Sequence, residues 1–460
     1  MAEKFVDPEG GSDSNSGDSI FAPLKTPPSA TDDLVICLKR GTHYVRTSQW
    51  NWGTAARMTL KDYGDASAPN PRVTIVANST NLINIQGDGT QTFRNIDFED
   101  CVSNASGCVI GAGLVAATSR CAVIDVQQCA FRRTYRHAIR FGASSTSDAS
   151  PEATISNNLF EDIGEDAIYG GALRMWVLHN TMRRLSQNTA NGDGLGFISL
   201  DPVAVWFMFN DVDHSDVDSK HCVIFDTSTG AGQVFVGFNA FRGYGWARGE
   251  SGENHTVVNA DCQAFIFGNR MWTAGLGINV GGANSVVSGN RLWVSSYRAT
   301  APTVSVNADG VTIAHNAVQG PGATVSGKCL VSANTVTTLT ARNNIFRKID
   351  RAISLDGSGT TLTKSNNWFD DVTSPYLDYQ ASAIALDAAD ETGDLTDYLH
   401  GDLSLIIPDG TTWDTLSGVN PLAMAGYYMA GARLANGRPR PGYVPIGACA
   451  AMLAGTSRTA

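Results

Sequence analysis

A short phrase recurs through this chain, and it leaves few folds open. An apolar strand is closed by an amide residue and followed by a second short strand. Between Ile155 and Met182 the phrase occurs twice, as Ile155-Ser156-Asn157-Asn158-Leu159-Phe160 and as Val177-Leu178-His179-Asn180-Thr181-Met182. The closing amide falls at Asn95, Gln128, Asn158, Asn180, Asn210, Asn239, Asn269, Asn290, Asn316, Asn344 and Asn367. The intervals run from 21 residues (Asn269 to Asn290) to 33 (Asn95 to Gln128), the range of solenoid repeats. Each interval holds three short apolar runs rich in Val, Ile and Phe, separated by polar corners. A lone unit of this kind cannot bury its inner face, whereas stacked units can. Asn suits such a corner because it tolerates the left-handed region and its amide can bond to the corners on either side. The amide is usually followed two residues later by a bulky apolar residue (Phe160, Met182, Phe241, Phe346, Phe369), and by Trp272 at one further. The expected fold is all-β: a single-stranded right-handed parallel β-helix of about eleven rungs with irregular N- and C-terminal caps.

Length alone, 460 residues, would suggest two or three domains. A solenoid grows without new cores, so the division expected here is a cap with first strands (1–71), the β-helix (72–371) and a C-terminal cap or tail (372–460). The 47 glycines and the low share of charged residues, 17%, suit short strands and tight corners. A net charge of −11 argues against binding nucleic acid through phosphate neutralisation. No run approaches a transmembrane helix, so membrane insertion is not expected. The opening Met1 to Gly11 lacks the apolar stretch of a signal peptide, which implies either a removed signal or a signal-independent exit such as lysis. The nine cysteines are scattered, with no CxxC and no zinc-ligand spacing, and read as small buried hydrophobes rather than a disulfide framework.

The opening Phe5-Val6-Asp7-Pro8-Glu9-Gly10-Gly11-Ser12-Asp13-Ser14-Asn15-Ser16-Gly17, followed by Gly41-Thr42-His43-Tyr44, resembles the start of many right-handed parallel β-helix proteins. These form the pectate-lyase-like superfamily of polysaccharide lyases, hydrolases and phage tailspike depolymerases. Ala22-Pro23-Leu24-Lys25-Thr26 replaces the usual Pro-Phe-x-Thr-Leu signal, and the closing Val444-Pro445-Ile446-Gly447-Ala448 is similar to the superfamily's Asp-Ile-Gly-Ala ending, with Pro445 in place of Asp. The resemblance implies a stacked Asn ladder between the second and third sheets, and a polysaccharide groove along the first sheet and its incoming loops. It also implies a homotrimer, and a virion-associated or extracellular location with tail proteins as partners.

Aligning rungs on the start of the first strand gives a column of titratable residues: His137, Asp166, Asp193, His221 and His255, preceded by Arg136, Glu165, Gly192, Lys220 and Asn254. Adjacent rungs lie about 4.8 Å apart, close enough for such groups to perturb one another's protonation, as general acid and base roles require. The loops feeding this edge are long and polar, and one carries Tyr244, Trp246 and Arg248 beside Glu250 and Glu253, a surface suited to sugar. Polar solenoid corners also bond neighbouring backbone without further purpose, so catalysis, passive carbohydrate binding and plain corner chemistry all stand.

Two mechanisms fit the parts. In a hydrolase Asp166 and Asp193 are the acid and its partner, the spacing of carboxyls deciding retention or inversion. In a lyase acting on uronic acids Lys220, His221 or His255 takes the C5 proton, and Arg136, Arg140 or Arg248 neutralises the substrate carboxylate. No cofactor is implied. The loop Asp211 to Asp218 alternates carboxylates in a manner that could hold Ca²⁺, but it lacks the glycine and terminal Glu of an EF-hand loop, and a solvated loop is the plainer reading. The function expected is recognition, with cleavage, of a polysaccharide by a tailspike-like or tail-fibre-like protein. The alternatives are a secreted bacterial uronate lyase and a non-catalytic virion protein.

Overall fold

The structure, a computed structural model, describes residues 1–53, 55–76, 81–86, 89–101, 108–112, 123–141, 150–170, 172–185, 204–213, 223–225, 232–244, 256–273, 276–294, 302–320, 322, 328–332 and 335–392. Every regular element among them is a β-strand. The chain divides into two compact units, Met1–Trp206 with Asn210–Gly232, and Phe207–Phe209 with Gln233–Ala460. Each is a parallel β-solenoid.

In the first unit, sheet I stacks Ala2–Val6, Leu34–Lys39, Arg57–Tyr63, Thr90–Arg94, Val123–Gln127, Ser150–Ser156 and Ala172–Leu178, all parallel. Sheet II runs through Asp97–Glu99, Ala130–Thr134, Leu159–Ile163, Thr181–Arg183 and Asp211–Asp213. Sheet III holds Trp50–Gly53, Ile83–Ile85, Ile110–Ala112, Ile139–Phe141 and Ile168–Tyr169. The chain visits I, II and III in that order before the next turn. Parallel pairing therefore starts at Ala2, and counting turns by Asn misses the early ones, whose corners carry other residues.

Alternation decides what faces inward. Ile124 and Val126, Phe131, and Ile139 are fully buried in sheets I, II and III of one turn. Exact parallel register sets like on like: Phe98, Phe131 and Phe160 stack with centroids 5.1 Å apart at both steps, a gain of roughly 0.5–1.5 kcal/mol per pair beyond area burial. In the second unit Phe241 pairs with Met271, so Met271 takes the inward position after Asn269, and Trp272 occupies the register position of Arg242.

The Asn ladder forms at the corner from sheet I into sheet II, which are the second and third sheets of the expectation when sheet III is counted first, with one correction. Asn158 Oδ1 accepts the Cys129 N–H at 2.9 Å. Its Nδ2 donates to the Val126 carbonyl and to Asn180 Oδ1, each at 3.0 Å, and its own N–H donates to Asn180 Oδ1 at 3.0 Å. Asn180 repeats this set on Asn210. In the second unit the same pattern runs from Asn239 through Asn269, Asn290, Asn316 and Asn344 to Asn367. Asn95 and Gln128, expected in this ladder, instead occupy the residue before it, each with φ near +56°. The left-handed residue is the one preceding the ladder amide, as at Asn157, His179, Asn343 and Asn366. Cys129 therefore stands in the ladder after Gln128. The six described cysteines, Cys37, Cys101, Cys108, Cys129, Cys262 and Cys329, are free and buried. No helix is long and apolar enough to cross a membrane among the described residues.

Candidate functional site at the leading edge of sheet III

The turn from sheet II into sheet III builds the site. In one rung it reads Thr134-Tyr135-Arg136-His137-Ala138 and in the next Ile163-Gly164-Glu165-Asp166-Ala167. Equal lengths let the backbones run in step: Gly164 N–H donates to Thr134 O at 2.8 Å, Glu165 N–H to Arg136 O at 3.2 Å, and Ala138 N–H to Asp166 O at 3.2 Å. Gly164 is required by the closeness of this contact, since a Cβ there would lie 1.8 Å from the Tyr135 carbonyl oxygen. The pairing of Ile139 with Ile168 then sets His137 beside Asp166 and Arg140 beside Tyr169.

Side chains converge accordingly. His137 Nε2 lies 3.1 Å from Glu165 Oε2, and its Nδ1 lies 3.1 Å from Asp166 Oδ2. Arg136 Nε donates to the same Glu165 Oε2 at 2.7 Å. The His137 ring stacks on Tyr169 with centroids 4.6 Å apart, and the Arg140 guanidinium lies over the Tyr169 ring, 5.4 Å from its centroid. His137, Glu165 and Asp166 are 3%, 5% and 3% exposed; Arg136, Arg140 and Tyr169 reach solvent in part. Burial pushes the His137 imidazolium down to about 3, opposed by the Glu165 charge and reinforced by Arg136 and Arg140. The ring is therefore neutral at physiological pH.

A neutral imidazole carries one N–H. The Asp166 backbone N–H points at Nδ1 at 3.4 Å and can only donate, so Nδ1 is the acceptor and Nε2–H donates to Glu165. Below His137 the edge continues with Cys108, whose N–H and thiol both donate to Asn81 Oδ1, at 3.0 and 3.1 Å. Burial pushes this thiol up to about 12, so it is not a nucleophile.

Of the residues expected from sequence, the structure brings together Arg136, His137, Arg140, Glu165 and Asp166. Asp193, Lys220, His221, His255, Trp246 and Arg248 lie outside the described residues, and of Tyr244 the backbone alone is described, closing the strand Ala240–Tyr244. Asp211–Asp213 is a strand rather than part of a loop, and Asp216 and Asp218 lie outside the described residues. Among the described residues no group of three or more His, Cys, Asp and Glu is arranged to hold a metal ion. Tyr169 was not anticipated. Its signal was available, because it follows Asp166 at the same offset of three residues by which Arg140 follows His137.

No family model matches the chain, and no curated protein is similar to it. Among solved structures it is similar to the GH136 lacto-N-biosidase of Eubacterium ramulus, at 10% identity over 85% of this chain and 68% of that one, with a TM-score of 0.40. It is similar to a mannuronic acid specific polysaccharide family 6 lyase from human gut microbiota at 11% identity, over 86% and 92% of the two chains, with a TM-score of 0.40. The A-module of an Azotobacter vinelandii mannuronan C-5 epimerase is 11% identical over 78% and 89%, with a TM-score of 0.25. At such identities and TM-scores the likeness carries no argument about what this chain acts on. Fold and site together define a class: a parallel β-solenoid with a buried acid–imidazole–acid cluster on one sheet edge.

Proposed function

We propose that this protein recognises and depolymerises a polysaccharide, with Asp166 as the acid that protonates the leaving glycosidic oxygen. The observation that carries this reading is the contact of one buried imidazole, His137, with two carboxyls, each at 3.1 Å. Nδ1 accepts from the Asp166 N–H and lies 3.1 Å from Asp166 Oδ2, and Nε2 lies 3.1 Å from Glu165 Oε2, so the imidazole is close enough to both carboxyls to exchange a proton with either. Glu165 also accepts from Arg136. Two carboxyls on one imidazole thus have different surroundings, the kind of arrangement from which acid and base roles are divided. A proton donor to the leaving oxygen serves hydrolysis and β-elimination alike. The partner is Asp193 in hydrolysis, or Lys220, His221 or His255 in elimination.

One observation favours a second reading, a non-catalytic corner: the three central side chains are almost wholly buried. A tailspike-like or tail-fibre-like role, a homotrimer, and a virion-associated or extracellular location are further proposals supported by the resemblance of the opening phrase. Ca²⁺ on the acidic residues from Asp211 onward is a proposal of the same standing. The test of the main reading is incubation with a panel of acidic and neutral bacterial polysaccharides, following absorbance of unsaturated uronate and new reducing ends. Rising absorbance selects elimination; reducing ends without absorbance select hydrolysis. Silence on a glycan that demonstrably binds selects the passive corner.

A further inference from the structure

His137, Glu165 and Asp166 are almost wholly buried, yet a proton donor has to meet its substrate. The groups that enclose the imidazole are held in two different ways. The carboxyls are fixed by hydrogen bonds and by register: Glu165 accepts from Arg136 Nε at 2.7 Å, and the two rungs pair through Glu165 N–H to Arg136 O and Ala138 N–H to Asp166 O. Moving either acid away means opening a rung. Tyr169 is held otherwise. It ends the two-residue strand Ile168–Tyr169, and Gly170 after it turns at φ +95°, so close to Phe141 that a Cβ would lie 2.0 Å from the carbonyl oxygen. Its ring lies nearly parallel to the His137 imidazole, with 4.6 Å between centroids and 21° between planes, and meets the Arg140 guanidinium at 5.4 Å. Among the described residues its hydroxyl makes no hydrogen bond, so ring faces alone hold it. Such contacts are weak and tolerant of direction beside a charge-assisted hydrogen bond. The ring is also half-buried rather than buried, and side chains that reach water change rotamer far faster than strands separate.

From this we infer that Tyr169 is a lid on the acid cluster, which covers the His137 ring at rest and turns about its own side-chain bonds to admit a substrate to His137 and Asp166. The backbone of both rungs stays in place, so the acids keep their geometry while the cover moves. At rest the lid keeps one face of the imidazole dry. Open, it bares the edge on which Asp166 stands. A cover tied down by hydrogen bonds would leave unpaired groups behind when it moved, whereas this one slides off two ring faces and strands none. The inference rests on the depolymerase reading for what enters, and states how access to that same site is controlled.

Diethyl pyrocarbonate, which acylates a neutral imidazole nitrogen, reports access without the substrate. The full chain is treated at pH 7, where burial holds both His137 and His315 neutral, and acylation of each is followed by mass spectrometry of its peptide. His315 is the reference in the same sample: it is 6% exposed against 3% for His137, so static exposure alone would have it react at least as fast. With a lid that turns, His137 is expected to react at least tenfold faster than His315 in the wild-type chain. Tyr169→Ala is expected to raise the His137 rate at least tenfold further and leave His315 unchanged, Tyr169→Leu to fall between, and Tyr169→Phe to match wild type because the hydroxyl anchors nothing. The lid is overturned by a wild-type His137 rate no greater than that of His315, or by a His137 rate unmoved in Tyr169→Ala. It is overturned equally by a rise in Tyr169→Phe as large as in Tyr169→Ala, or by a rise in Tyr169→Ala that His315 shares, which marks loss of the fold. Turnover is read separately on the polysaccharide panel. The expected acylation pattern with no cleavage of any glycan removes the depolymerase reading and leaves the lid. Cleavage by a chain whose His137 is acylated no faster than His315 does the reverse.

Discussion

Two edges of the same solenoid stack polar side chains rung upon rung, the Asn corner between sheets I and II and the leading edge of sheet III, and they differ in whether the hydrogens suffice. At the corner Asn180 is saturated: it gives its N–H and Nδ2 hydrogens to Asn210 and to the Ile155 carbonyl, and its Oδ1 takes two from Asn158. Amides are self-complementary and neutral, so such a stack extends indefinitely without charge. At the leading edge, acids and an imidazole meet at stacked positions, and their hydrogen bonds depend on where the protons sit. Register brings groups together at both edges. The residue type decides whether the result is a structural ladder or a reactive cluster.

The largest effect expected is on activity. Asp166→Asn keeps a polar side chain of the same shape beside His137 Nδ1 but cannot release a proton. Turnover of the substrate found by the polysaccharide panel is expected to fall about 10²–10⁴-fold, with thermal stability moved by less than about 1 kcal/mol. Retained turnover would remove Asp166 from the mechanism. A large loss of stability would make the edge a structural ladder like the corner.

Next comes the reverse experiment on the corner. Asn290 donates to Asn316 Oδ1 and to the Ile266 carbonyl, and accepts two hydrogens from Asn269. Asn290→Leu strands those partners in a dry corner and is expected to cost about 2–4 kcal/mol, read from the shift in urea midpoint. A shift below about 1 kcal/mol would show that the ladder adds little to stacking.

Much of this contrast was legible in the chain itself. The rung period and nine of the ladder amides, Asn158 to Asn367, follow from spacing alone. The error at Asn95 and Gln128 has a physical cause: Asn is favoured both at the left-handed residue and at the ladder position after it, as Asn157-Asn158 and Asn343-Asn344 show, so one Asn cannot say which it occupies. The pairs Arg136 with Glu165 and His137 with Asp166 were readable because their two turns are equally long. The register of Asn84, Gly111 and Arg140 was not, because the intervals between rungs vary and that register is set by backbone pairing.

Acid sharpens the comparison further. His137 and His315 are held neutral by burial, at about 3 and about 4, against about 6.5 in the unfolded chain. Their folded values are depressed, so the unfolded chain takes up protons first, and stability present above pH 6.5 is lost as pH falls toward 4 and 3. At pH 5 each histidine is expected to remove about 2 kcal/mol relative to pH 8. Denaturation across that range should show the loss, and His137→Gln should flatten it by about half. An unchanged slope in His137→Gln would mean the ring already titrates normally and the cluster is open to solvent.

The smallest effect belongs to a third edge, where charge rather than amide is stacked. At the trailing end of sheet II the left-handed residues Asp100, Arg133, Asp162 and Arg184 alternate in sign, beside Glu99, Arg132, Glu161 and Arg183, which pair in register. Arg133 bridges Asp100 and Glu99, and Arg184 bridges Asp162 and Glu161. A slip by one rung would set like charges together, so the pattern specifies register even where it adds little energy. The Arg133 side chain is 44% exposed, and water and salt screen it. Arg133→Ala is therefore expected to cost less than about 1 kcal/mol in dilute buffer, and the difference from wild type should shrink in 1 M NaCl. A cost of several kcal/mol that persists in high salt would place this edge with the Asn corner. The present geometry sets it apart, because its partners can turn to water when one is removed, and those of a buried amide cannot.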